Sequence, residues 1–292
     1  MRLGGWYSAG NLDEFENLCQ KLDRHGLSTV AAPASAVEWT EDQCAKYGER
    51  ARNLDIVIGE WGMWDNLMTE DSDLRRQRIR TLQTILAKAD AMNVTCVATY
   101  VGTRDPSDHS LAPHSWMFTD QCKAEFQDVV LHILDGLVLN HTRYVVKPSS
   151  NTFFYRPQAI REFVDAVDHP CFGVHLDPVS MIDHDSFFKT TQLIHEAFDL
   201  LSDRAWSVTL KDIRWDFNHS FMKWDEVPAG EGVMDIDTLI KRVALFPEDT
   251  PCLCEHFATE DDYAEHFRHL HDFAAKADLT FRRRKASGRG ES

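Results

Sequence analysis

Short runs of strand-forming residues alternate with longer amphipathic stretches along most of the 292-residue chain. The short runs are rich in branched and aromatic residues, whereas apolar residues in the long stretches recur at helical spacing. The predicted strands occupy residues 2–6, 26–32, 55–61, 94–100, 143–147, 172–177, 206–212 and 251–255. Eight strand–helix pairs in a chain of this length predict an α/β protein with the (β/α)8 TIM-barrel fold. A doubly wound open sheet is the main alternative, but no strand leads into a GxGxxG turn.

No linker divides this alternating pattern, so we predict a single barrel domain over residues 1–278. The predicted helices cover 12–25, a stretch from about 40, 73–92, 119–139, 156–167, 187–201, 235–243 and a stretch from about 261. The last residues, 279–292, are basic and rich in glycine and serine, which predicts a flexible tail.

The chain is strongly acidic, with a net charge of -16. This charge argues against nucleic acids and anionic membrane surfaces as partners and fits a protein that handles small molecules. No signal peptide or stretch of about 18 continuous apolar residues is visible, so we expect a cytoplasmic protein. The 7 cysteines include no CxxC pair and predict reduced, buried thiols.

Charged residues close four of the predicted strands. Lys147 follows the short apolar run YVV at 144–146, and a buried ammonium group there would require carboxylate partners. Asp177, Lys211 and Glu255 close the next three strands. Because the carboxyl ends of barrel strands meet at one face, we expect these four groups to lie together as catalytic residues, with His175 beside Asp177.

Other polar and aromatic residues lie at strand ends or in the loops that follow them. The predicted substrate-binding residues are Trp6, Glu60, Trp61, Trp64, Tyr100, Trp116, Arg214 and Glu231. The four tryptophans are able to form an apolar wall for a sugar ring, and they suit ordinary core packing equally well. No cluster of basic residues predicts a phosphate site, although Arg104 or Arg214 would be able to contribute to one.

Four motifs, in this order, resemble those of the xylose-isomerase-like barrels. They are GVHLDP at 173–178, LKDIR at 210–214, PAGEGVMDID at 228–237 and CEHF at 254–257. That family includes sugar epimerases, sugar isomerases and inosose dehydratases. The resemblance implies a TIM barrel, a small sugar or cyclitol as substrate and assembly into a homo-oligomer.

The resemblance also implies one Mn²⁺ or Mg²⁺ ion, held by glutamate, aspartate, histidine and glutamate from strands five to eight. Asp177 and Glu255 match two of these ligands, but Lys147 replaces the first glutamate and Thr209 replaces the histidine. A protonated lysine cannot coordinate a metal, and threonine is a poor ligand. We therefore expect no cofactor, with the Lys147 ammonium group between Asp177 and Glu255 in roughly the ion's place. A metal held by Asp177, Glu255, His175 and Glu60 is the alternative.

The family reaction moves a proton next to a carbonyl group. The resemblance therefore implies an isomerase or epimerase of a keto sugar or cyclitol, with Glu255 or His175 as base and Lys147 donating a hydrogen bond to the oxyanion. A lyase or dehydratase at the same site and a catalytically silent sugar-binding paralogue that supports a partner subunit are the alternatives. The acidic charge disfavours an endonuclease of the same fold.

Overall fold

The computed structural model describes residues 1–219 and 223–285, and a closed parallel barrel forms its centre. The barrel strands are β1 (Arg2–Gly5), β2 (Thr29–Ala31), β3 (Val57–Gly62), β4 (Cys96–Thr99), β5 (Arg143–Val146), β6 (Phe172–Leu176), β7 (Ala205–Thr209) and β10 (Pro251–Cys254). Each strand pairs with its neighbours in chain order, and β10 pairs with β1 to close the barrel. The predicted single-domain TIM barrel is therefore confirmed.

Eight α-helices surround the barrel in the described part of the chain. They are α1 (Phe15–His25), α2 (Glu41–Asn53), α3 (Ser72–Met92), α4 (Asp120–Leu134), α5 (Pro157–Val167), α6 (Thr190–Leu201), α7 (Ile236–Val243) and α8 (Glu260–Lys276). A capping box between Thr40 and Gln43 starts α2. Helix α4 ends at Leu134, before the predicted residue 139, because Gly136 adopts a positive φ of 72° in the turn that follows.

The main hydrophobic core lies between the outer face of the barrel and the helices. Apolar faces of the helices supply much of it, for example Leu82 and Leu86 of α3 and Ile160 of α5. None of the helices in the described residues is both long enough and apolar enough to cross a membrane.

An antiparallel hairpin after β7 was not predicted from the sequence. Strand β7 ends at Thr209, and Asp212 begins β8 (Asp212–Trp215), which pairs with β9 (Trp224–Val227). The Asp212 carboxylate accepts hydrogen bonds from the backbone N–H groups of Gly230 and Gly232, both at 2.9 Å. A Cβ atom at Gly232 would lie 2.2 Å from Asp212 Oδ1, so only glycine fits there. Asp212 thus fixes the loop that carries Glu231.

The first residues of the predicted flexible tail, 279–285, pack against the barrel. Phe281 is buried, and the backbone N–H of Arg282 donates to the carbonyl oxygen of Met1 at 3.0 Å. Arg284 forms an ion pair with Asp23. An apolar anchor and acidic partners on the barrel therefore hold residues 279–285 in place, whereas 286–292 lie outside the described residues.

Candidate active site

The four charged side chains that the sequence places at strand ends lie together at the carboxyl end of the barrel. Lys147 Nζ donates a hydrogen bond to Glu255 Oε1 and lies 3.6 Å from Asp177 Oδ2. Lys211 Nζ lies 2.9 Å from Glu255 Oε1 and 3.6 Å from Asp177 Oδ2. None of the four residues is more than 3% exposed. We call this group the ion cluster, in which two ammonium groups balance two carboxylates.

The opposite charges in the ion cluster stabilise one another's ionised forms, which burial alone would disfavour. Burial would raise the pKa of Asp177, but the ammonium groups of Lys211 and Lys147 outweigh it and hold that pKa below its ordinary value. Burial, reinforced by Lys211, lowers the pKa of Lys147 to about 8, although Asp177 opposes this change. At pH 7 Lys147 therefore remains mostly protonated. Ser180 further stabilises the Asp177 carboxylate by donating its hydroxyl at 2.8 Å.

A second polar group, the lower cluster, lies inside the barrel beneath the ion cluster and consists of Glu60, His175, Ser207 and Thr209. His175 Nδ1 lies 2.5 Å from Glu60 Oε2 and 2.6 Å from Ser207 Oγ, and its Nε2 forms a hydrogen bond with Thr209 Oγ1. Burial opposes ionisation of Glu60, but His175 outweighs it and keeps the pKa of Glu60 below its usual range. All four residues are buried.

These contacts place two predicted site residues away from the cavity. His175 was expected to act as a base and Glu60 to bind substrate, yet both side chains point into the barrel interior and neither lines the cavity above. Glu60 Oε1 is buried and has no hydrogen-bond partner among the described residues.

A divalent ion, which the resemblance implies, does not fit the residues present. The lysine side chains contact both carboxylates that would have been ligands, and the Thr209 hydroxyl is bonded to His175. In the alternative ligand set, Asp177 and Glu255 belong to the ion cluster, whereas His175 and Glu60 belong to the lower cluster. Within residues 1–219 and 223–285, no group of three or more His, Cys, Asp or Glu side chains is arranged to hold a metal.

A cavity of about 550 Å³ opens above Glu255. Its apolar wall is formed by Trp6, Trp64, Tyr100, Leu111 and Tyr263, and its polar lining by Asp65, Asn66, Arg78, Asp108, His109, Ser110, Glu255 and His256. The indole N–H of Trp6 donates to Glu255 Oε2 at 2.8 Å, which joins the wall to the ion cluster. The ring centroids of Trp64 and Tyr100 lie 5.0 Å apart. Aromatic faces beside hydrogen-bonding groups suit a sugar-sized ligand.

Besides Glu60, four predicted substrate-binding residues lie outside this cavity. Trp61 is buried in the hydrophobic core, because Glu60 faces the barrel interior and the next residue on a strand faces the opposite side. Trp116 packs beneath Arg104, whose guanidinium carbon lies 3.4 Å from the ring centroid. Arg214 and Glu231 are solvent-exposed near the hairpin, 3.9 Å apart. Trp6, Trp64 and Tyr100 do line the cavity.

Several residues in and beside the cavity had no predicted role. His256 follows Glu255 with a positive φ of 70°, which places its ring at the cavity. Its Nδ1 lies 2.8 Å from Glu226 Oε1, and its Nε2 lies 3.7 Å from Glu255 Oε2. Glu226 belongs to the unpredicted hairpin, and Arg78 lies within helix α3. Neither residue lies at the end of a predicted barrel strand, which is where site residues were expected.

The closed parallel barrel, with buried charged groups and a cavity at the carboxyl ends of its strands, defines a TIM-barrel protein. A family model described as "Xylose isomerase-like TIM barrel" matches residues 17–273, and the chain belongs to this family. The resemblance seen in the four motifs is therefore confirmed. A comparison with curated protein sequences finds no match.

Solved structures with the same fold include sugar epimerases and a dehydratase. An L-ribulose 3-epimerase is 13% identical, with 100% of this chain and 99% of that one covered and a TM-score of 0.68. A D-psicose 3-epimerase is 16% identical, with 97% and 100% covered and a TM-score of 0.66. The probable 3-DHS dehydratase AsbF from Bacillus anthracis is 16% identical, with 88% and 93% covered and a TM-score of 0.64. These likenesses show that the chain shares the fold of these proteins.

Proposed function

We propose that this protein is a sugar isomerase or epimerase that moves a proton next to the carbonyl group of a keto sugar or cyclitol without a divalent metal. One observation carries the proposal: the Glu255 carboxylate lines the cavity while the ammonium groups of Lys147 and Lys211 hold it from below. A sugar or cyclitol is the proposed partner. Self-association and a cytoplasmic location stay predictions from the sequence.

The two ammonium groups of the ion cluster support proton transfer to Glu255, because the cluster becomes net positive as the substrate gains a negative charge. When the carboxylate takes a proton from the carbon next to the carbonyl group, the C–H electron pair forms a C=C bond and the negative charge moves to the substrate oxygen. Lys147 and Lys211 are buried and would not touch the substrate. Their positive charge would stabilise the negative charge both when it is on the Glu255 carboxylate and when it is on the substrate oxygen. They are therefore positioning and electrostatic residues.

Two cavity residues complete this chemistry. Burial raises the pKa of Tyr100, so its phenol keeps its proton and is able to donate a hydrogen bond to the developing oxyanion. His256, oriented by Glu226, is a second imidazole or carboxyl group beside Glu255 that lines the cavity and is able to carry a proton. Return of the proton to the other face or to the neighbouring carbon gives an epimer or isomer. Loss of a leaving group from the same intermediate gives the lyase alternative.

A catalytically silent sugar-binding protein is the second candidate. It is favoured by the near-complete burial of Lys147, Asp177 and Lys211, which leaves Glu255 as the member of the ion cluster that lines the cavity. In this case the ion cluster would act as a rigid floor beneath a bound sugar.

Deuterium exchange separates the two candidates. The protein is incubated in deuterated water with a panel of unphosphorylated ketohexoses and inososes in the presence of EDTA, and NMR follows deuterium entering the carbon next to the carbonyl group. We expect exchange that EDTA does not remove, and a loss of about 10²-fold or more in Glu255→Gln. Binding detected by tryptophan fluorescence without exchange would establish the silent protein. An enone product would indicate elimination.

A further inference from the structure

Arg78 contributes a positively charged guanidinium group to the lining of the cavity. Of the described residues that line the cavity, it is the only lysine or arginine. Its side chain reaches the cavity from helix α3 and is 15% exposed. A phosphate group bound in the cavity would therefore need this guanidinium group.

Both terminal nitrogens of Arg78 already donate hydrogen bonds within the protein. Its Nη2 lies 2.5 Å from Asp108 Oδ2 and its Nη1 lies 2.9 Å from Asp108 Oδ1, which forms a bidentate pair. The Nη1 group also donates to the backbone oxygen of Asn66 at 2.9 Å, and Asn66 Nδ2 donates to Asp108 Oδ1 at 2.9 Å. The hydrogen bond from Arg78 lowers the pKa of Asp108, so the pair stays ionised at neutral pH.

The remaining cations near the cavity are also held by carboxylates. Lys147 and Lys211 lie beneath Glu255 within the ion cluster. Arg104, which the sequence left open as a phosphate ligand, forms an ion pair with Glu125 at 2.6 Å outside the cavity. Asp65 adds a further carboxylate to the lining. In the part of the chain that the structure describes, a phosphate ester in this cavity would meet negative charge and no lysine or arginine free of a carboxylate partner, which disfavours its binding.

We propose that Asp108 sets the substrate class of this site: by neutralising Arg78, it makes the cavity accept neutral sugars or cyclitols and reject their phosphate esters. The inference rests on the proposed function, since it assigns the substrate of the same cavity. Asp108 is a specificity-determining residue. Removal of its charge would release the Arg78 guanidinium group toward the ligand.

The backbone at residue 108 allows a clean test. Asp108 has a positive φ of 58°, a conformation that asparagine and glycine adopt at little cost. Asp108→Asn removes the charge and keeps the shape, whereas Asp108→Gly removes every side-chain acceptor. Asp65→Asn is the matched control, because it also removes one negative charge from the lining but no hydrogen bond to Arg78.

Titration calorimetry with D-fructose, D-fructose 6-phosphate, the neutral ketohexose and inosose panel and inorganic phosphate tests the inference. We expect wild type to bind neutral sugar in preference to the ester. Asp108→Asn and Asp108→Gly should tighten binding of the ester and of phosphate by about tenfold or more. The gain in Asp65→Asn should be clearly smaller.

Three results would overturn the inference. They are a wild-type preference for the ester, no gain for the ester and phosphate in either Asp108 variant, and equal gains in the Asp65 and Asp108 variants, which would indicate a general charge effect. In each case the proposed function survives if neutral sugars bind and exchange deuterium. If no neutral member of the panel binds to wild type, the proposed function itself is wrong and the inference falls with it.

Discussion

Replacement of Lys147 by methionine should strongly destabilise the protein. The substitution keeps an unbranched apolar stem but removes an ammonium group that contacts Glu255 and lies 3.6 Å from Asp177. Two buried carboxylates would then share one cation, Lys211. Removing one partner of a buried ion pair costs about 3–5 kcal/mol, because the remaining charge is left uncompensated. We expect the free energy of unfolding to fall by that amount.

Urea unfolding at pH 7, followed by tryptophan fluorescence and circular dichroism, measures this loss. The double variant Lys147→Met with Glu255→Gln removes one charge of each sign, so its destabilisation should be smaller than the sum of the single changes by about 1–3 kcal/mol. Lys189→Met is the control, since its ammonium group pairs with Asp185 at the surface and should contribute little. An effect of Lys147→Met no larger than that of the control would refute the buried ion cluster.

Two further predictions concern metal binding and pH. Lys147→Glu alone should not bind Mn²⁺ tightly, because Thr209 still lacks an imidazole, whereas Lys147→Glu with Thr209→His should bind it with a dissociation constant of about 10⁻⁶ M or lower. Calorimetry checks this, and no gain in the double variant would contradict the assigned positions. Burial lowers the pKa of His266 to about 4, so the folded protein binds its proton less tightly than the unfolded chain, whose histidine titrates near 6.5. Stability from this group is therefore complete above pH 6.5 and falls by up to about 3 kcal/mol as the pH drops towards 4. Urea midpoints across this range should fall less steeply in His266→Gln, and parallel curves would contradict the assignment.

The barrel and the ion cluster were predictable because each rests on a local signal. Every barrel strand is a short apolar run between helical segments, and Lys147, Asp177 and Glu255 each close such a run. Parallel strands bring their carboxyl ends to one face, so the topology alone places these charges together.

The cavity wall was less predictable because it depends on side-chain direction and loop packing. Trp61 and Trp64 are three residues apart, yet one lies in the core and the other lines the cavity. Arg78 and Asp108 are separated by 30 positions, and their contact follows from how helix α3 and the loop after β4 pack together. No periodicity or motif in the sequence indicates that these two residues are in contact.

Elemental analysis of the purified protein most directly tests the central claim that lysine ammonium groups take the place of a divalent ion. The protein is equilibrated with Mn²⁺ and Mg²⁺, passed through buffer without metal, and assayed for metal content and for deuterium exchange. The ion cluster predicts metal well below one equivalent together with undiminished exchange. One tightly held equivalent, with exchange that disappears when it is removed, would contradict the account.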